Sequence, residues 1–127
     1  MEIREFRATL RAKEFECTCR FYGEILALPR LTSRDTADGR SAIYQAGAGQ
    51  IEVLGTPRAA GKDARANYHA PEAPVVLTLV VASADAIYKE LIFRDRNIPG
   101  GLRKDAAGKT IFGTHDPDGV RILFVEE

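Results

Sequence analysis

At 127 residues, with 45% apolar and 28% charged side chains, the chain can bury one sizeable core and has the balance of an ordinary globular protein. Lys+Arg and Asp+Glu stand at 18 each, and neither sign clusters, which argues against the basic stripe of a nucleic-acid binder. The longest apolar run, Val75 to Ala82, is too short to span a bilayer, and the charged opening Met1-Glu2-Ile3-Arg4-Glu5 lacks the apolar stretch of a secretory signal.

The first predicted element is a strand over Ile3 to Ala12, where Phe6, Ala8 and Leu10 alternate with Arg7, Thr9 and Arg11. From Glu14 the apolar period lengthens. Phe15, Cys19, Tyr22 and Leu26, with Phe21, Ile25 and Leu28 beside them, form the broad apolar face of an amphipathic helix that Pro29 stops. Cys17 and Cys19 diverge by roughly 200° on such a helix and cannot readily pair, so a reducing, cytoplasmic compartment is expected. Three extended segments follow, near Leu31–Asp35, Arg40–Gln45 and Gln50–Gly55, with Asp38-Gly39 and Ala46-Gly47-Ala48-Gly49 as turns. The stretch 56–73 is rich in Ala, Gly, Pro and charge without apolar period, and reads as a linker.

The second half repeats the plan. Val75–Val81 is a β-branched strand, and Ser83 is placed to cap a helix through Ile87, Leu91 and Ile92 to about Arg96. Leu102–Lys104, Lys109–Thr114 and Val120–Val125 complete it, with Ala107-Gly108 and Asp116-Pro117-Asp118-Gly119 as turns. The expectation is one α+β domain of two βαβββ modules, 1–55 and 74–127. Each would form a curled mixed sheet with its helix on the outer face and a concave face opposite.

Side-chain parity then selects the concave face. If Ile51 and Val53 meet the helix, then Gln50, Glu52 and Leu54 face the hollow, and Arg7 and Thr9 join them from the first strand. In the second module Ile122 and Phe124 meet the helix, which leaves Leu123 and Val125, with Val76 and Thr78 from the opening strand. Tyr44 and Phe112, on the neighbouring strands, are expected to add stacking surface. One acid, one base and an apolar wall suit an amphipathic small molecule, although Arg7 and Glu52 also read as an ordinary solvated ion pair.

The duplicated βαβββ plan, Phe21-Tyr22 followed by Leu26-Ala27-Leu28, and Asp116-Pro117-Asp118-Gly119 before the last strand resemble the vicinal oxygen chelate superfamily. That superfamily includes glyoxalase I, extradiol dioxygenases and bleomycin-binding resistance proteins. The resemblance implies metal ligands at positions matching Arg7, Glu52, Val76 and Leu123, and of these only Glu52 could bind a cation. Arg7 stays protonated and would repel one. No metal or other cofactor is therefore expected.

The remaining candidates are weaker. His69 falls in the linker and His115 before the Asp116 turn, and both read as exposed loop histidines. Cys17 and Cys19 have no base at hand and read as structural. Gly39-Arg40-Ser41 and Gly108-Lys109-Thr110 lack the glycine spacing of a phosphate loop. Asp116 and Asp118 lack the further oxygens of a calcium loop. The leading expectation is a metal-independent small-molecule binding protein that forms a homodimer, as the resemblance implies. The alternatives are a lyase, isomerase or dioxygenase-like enzyme, with relocated ligands or Glu52 as general base, and a structural or regulatory module with a filled cavity.

Overall fold

The computed structural model describes residues 2–37, 39–56, 75–94 and 96–127, so the linker beyond Thr56 and His69 lie outside the described residues. These residues fall into two compact units, one on either side of that stretch. No helix among them is long and apolar enough to cross a membrane.

The first unit runs β1 (Arg7–Arg11), helix α1 (Phe15–Arg20), a π-helical turn (Phe21–Ile25), β2 (Arg30–Thr36), β3 (Gly39–Ala46) and β4 (Gly49–Gly55). The strands form one mixed sheet in the order β1-β4-β3-β2, with β1 parallel to β4 and the other pairs antiparallel. The opening strand is shorter than its alternation predicts. Residues 2–6 are not in the sheet, and Phe6, expected against the helix, is 68% exposed beside Gly49.

The helical segment also departs from a plain α-helix. Leu26 N donates to Phe21 O at 2.9 Å and Leu28 N to Tyr22 O at 3.0 Å, so the last turns widen before Pro29 ends them. Phe21 and Tyr22 are both buried there, with their rings 5.0 Å apart edge to face. Tyr44 packs under them. Its ring lies 6.3 Å from that of Tyr22, and its hydroxyl donates to Cys19 O at 3.1 Å. Gly23 makes room for it, since a Cβ there would stand 3.0 Å from Tyr44 Cε1.

Burial first, and then the neighbouring Cys19, push the Tyr44 phenol up from 10.0 to about 12. Burial likewise raises the Cys19 thiol. A phenol held neutral by folding contributes stability that is complete below the unfolded value and is lost as pH rises through the folded one. Wild-type protein should therefore lose on the order of 2 kcal/mol between about pH 10 and 12 that Tyr44→Phe does not lose. Urea unfolding of both proteins across that window measures the difference. Parallel pH profiles would contradict it.

The second unit repeats the order: β5 (Val76–Val81), helix α2 (Ala84–Phe93), β6 (Arg103–Lys104), β7 (Thr110–His115) and β8 (Arg121–Glu126). Its sheet is β5-β8-β7-β6, again with only the first pair parallel. Ser83 caps α2 as expected, its hydroxyl accepting from Ala86 N at 3.2 Å. The carboxylate of Glu126 takes the adjacent Ala84 N at 3.0 Å, where the helix dipole favours negative charge. The core is Leu91 and Ala84 from the helix against Phe112, Ile122 and Phe124 from the sheet. The α+β plan of two βαβββ modules, with open mixed sheets, is thus the architecture of the chain.

Candidate functional site

Each sheet has one face toward its helix and one face free of it, and strand register assigns every side chain to a face. In the first unit Arg7 stands opposite Gln50, Thr9 opposite Glu52 and Arg11 opposite Leu54. The intervening Ile51 and Val53 are 4% and 0% exposed against the helix. Arg7, Thr9, Gln50, Glu52 and Leu54 therefore share the helix-free face, where parity placed them.

They are tied together by polar contacts. Thr9 Oγ1 donates to Glu52 Oε1 at 3.0 Å, and Arg7 Nη1 lies 3.8 Å from Glu52 Oε2. Arg7 Nε donates to Gln50 Oε1 at 3.2 Å and its Nη2 to Glu5 Oε1 at 3.1 Å. The guanidinium is thus held by three groups, while Glu52 keeps one oxygen on Thr9 and turns the other toward Arg7. Glu52 is the more enclosed of the two, with 20% of its side chain exposed against 37% for Arg7. At 3.8 Å and this exposure the ion pair adds at most about 1 kcal/mol to stability. What it supplies is a fixed carboxylate beside a fixed cation, next to Leu54.

In the second unit Val76 stands opposite Arg121, Thr78 opposite Leu123 and Val80 opposite Val125. Val76 and Val80 are 44% and 64% exposed, so this face is apolar and open within its unit. Val76, Thr78, Leu123 and Val125 share it. His115, opposite Arg121, sits exposed at its margin, and its carbonyl accepts from Arg96 Nη2 at 2.6 Å.

Two expected residues belong to the other side. Tyr44 pairs with Ile51 and Phe112 with Phe124, so both face the helices and are buried, at 1% and 0% exposure. Neither ring offers stacking surface on the helix-free face. On β3 the places beside Glu52 and Leu54 belong to Ile43 and Ser41, which the same register puts on that face. Ile43 was missed on this face, as was Ile111, opposite Val125, on that of the second unit. Tyr44, the neighbour of Ile43, is equally apolar, and only the pairing with Ile51 separates them.

The donor set of these two faces does not suit a divalent ion. The first offers one carboxylate that already accepts from Thr9 and faces a guanidinium. The second offers the alkyl side chains of Val76 and Leu123. A site for such an ion needs about three nitrogen, sulfur or oxygen ligands with open positions beside them. No group of three or more His, Cys, Asp or Glu side chains able to hold a metal occurs among the described residues.

Comparison with known proteins bears on the architecture. No protein-family model matches the chain, and no curated protein matches it. Solved structures do. A glyoxalase family protein from Enterococcus faecalis aligns with a TM-score of 0.72 and 19% identity, over 98% of this chain and 97% of that one. A member of the glyoxalase/bleomycin resistance protein/dioxygenase superfamily from Sphaerobacter thermophilus aligns at 0.71 and 19%, over 99% and 98%. Lactoylglutathione lyase from Agrobacterium tumefaciens aligns at 0.70 and 13%, over 95% and 91%. Such identities carry the fold and no residue roles. Near-complete coverage in both directions, together with the duplicated strand order, gives the conclusion that this chain has the vicinal oxygen chelate fold.

Proposed function

We propose that the chain is a metal-independent small-molecule binding protein of the glyoxalase/bleomycin-resistance type. The observation that carries the reading is the Thr9–Glu52–Arg7 cluster beside Leu54 and Ile43. It puts a carboxylate and a guanidinium of fixed orientation next to apolar surface. Such a cluster suits the polar group of an amphipathic ligand better than it suits a cation. The exposed Val76 and Val80, with Leu123 and Val125, belong to the proposal as apolar contact surface. A homodimer and a cytoplasmic location are part of the same reading.

The test begins with protein purified gently and without chelator. Native mass spectrometry and elemental analysis should find no stoichiometric metal. A small-molecule thermal-shift screen should give hits whose affinity falls about 10- to 100-fold in Glu52→Gln and Arg7→Met, the loss expected for one charge-assisted hydrogen bond. One equivalent of bound metal would overturn the metal-free reading. Turnover of a hit that Glu52→Gln abolishes would make the protein an enzyme with Glu52 as its base.

A further inference from the structure

Helix α1 packs toward the β4 side of the first sheet and the π turn against Tyr44 of β3, while β2 is exposed along its whole length. Between the helix and the outer half of that sheet lies a half-open groove of about 530 Å³, within the usual size range of small-molecule sites. Its floor includes Ala42 and the Tyr44 ring, its helical wall presents Cys19, Arg20 and Gly23, and Arg30 and Arg40 reach it from β2 and β3.

Arg40 is the unusual member. It stands opposite Gly55, on the face that the register reserves for core residues. Gly55 leaves the space above it to Phe15, since a Cβ there would lie 2.6 Å from Phe15 Cδ1. The Phe15 ring in turn carries the Arg40 guanidinium 4.5 Å from its centroid. Glu16 bonds Arg40 Nη2, and Asp35 Oδ1 lies 3.5 Å from Nε. With 11% of its side chain exposed, Arg40 is fixed in place by a ring and two carboxylates. Its buried Nε still makes no hydrogen bond among the described residues, because the Asp35 contact does not meet that geometry. Arg30 stands opposite Tyr44 in the β2–β3 pairing and so shares its face, and its charge, like that of Arg40, is felt at the Cys19 thiol. Two guanidinium groups therefore converge on one floor.

We propose that this groove binds a small molecule through an oxyanion, a carboxylate or a phosphate, held by Arg30 and Arg40 over the Tyr44 ring. Beside Arg40 and its two carboxylates, the groove is lined on this face by Arg20 and Arg30 against Glu24. A planar guanidinium fork matches the geometry of a carboxylate or phosphate, and preorientation removes part of the ordering cost. The groove lies on the opposite side of the sheet from Glu52, so it stands or falls separately from the function proposed above.

The experiment is an NMR titration of the ¹⁵N-labelled full chain at constant ionic strength, with inorganic phosphate in one arm and succinate in the other. Saturable shifts of the Arg30 and Arg40 Nε–H signals and of the Gly23 and Tyr44 amides are expected in at least one arm. The responding arm names the oxyanion. Arg40 is packed well enough that replacing it could disturb β3, so the deciding variant is Arg30→Gln, at the exposed start of β2. It should weaken binding at least tenfold, whereas Lys89→Gln on the surface of α2 should not. Shifts that do not saturate, that spread evenly over surface arginines, or that survive Arg30→Gln unchanged would overturn the proposal. So would silence in both arms.

Discussion

Phe112→Ala is expected to destabilise the second unit by about 3–5 kcal/mol, a large part of what a small fold of this kind has. The ring is 0% exposed, stacked on Phe124 at 4.6 Å with planes 12° apart, and met edge-on by Tyr88 at 5.6 Å. Removing it leaves a cavity between the Phe124 ring of the sheet and the Tyr88 ring of α2, which closes only if helix and sheet shift. Phe112→Leu refills most of that volume and should cost about half as much. Val80→Ala, on the other face of the same sheet and 64% exposed, should change stability by less than about 0.5 kcal/mol. Urea unfolding followed by far-UV circular dichroism measures all three. A loss below about 1 kcal/mol in Phe112→Ala would contradict a tightly packed ring in the core of this unit.

The contrast between Phe112 and its neighbours shows what the sequence could reveal. In β4 the faces differ in polarity, Ile51 and Val53 alternating with Gln50 and Glu52, so parity alone orients that strand, whereas in β8 only Arg121 and Glu126 flank the apolar run Ile122–Val125. In β3 and β7 the runs Ala42-Ile43-Tyr44 and Ile111-Phe112 are apolar on adjacent residues, and no period decides between faces. The antiparallel register decides, by setting Tyr44 against Ile51 and Phe112 against Phe124. The hairpins, the Ser83 cap and the duplication were legible because each is a local pattern of a few residues. The π turn was not, since Phe21-Tyr22-Gly23 has no feature that distinguishes it from α-helix. Nor was the place of Arg40 legible. A charge on a core-facing position is tolerated only because Gly55, 15 residues on, admits Phe15, 25 residues back, and neither partner is marked by spacing.

Asp116→Ala carries the second large effect, and a sister turn in the same unit supplies its control. Asp116 Oδ1 accepts from Asp118 N at 2.8 Å and from Val120 N at 2.9 Å, while Gly119 closes the turn with a φ of 87° that favours glycine. Asp105 builds the same figure with Ala107 N and Lys109 N, both at 2.9 Å, and Gly108 at φ 81°. Chemistry and geometry match, and burial differs. Asp116 is 5% exposed and Val120 is 7% exposed, whereas Asp105 is half-buried and Lys109 exposed. Water can replace the lost acceptor at Lys109 but not at Val120, so the penalty for an orphaned amide applies in full only to the Asp116 turn. Asp116→Ala should therefore destabilise the unit by about 2–4 kcal/mol and Asp105→Ala by about half as much. Asp116→Asn keeps an acceptor oxygen and should lose about 1 kcal/mol. Equal losses in the two alanine variants would show that burial does not set the strength of the turn. The Asp116 turn also feeds β8, which carries Leu123 and Val125 onto the helix-free face. If those residues contact a ligand, Asp116→Ala should weaken it by loosening the strand, and Asp116→Asn should bind as wild type.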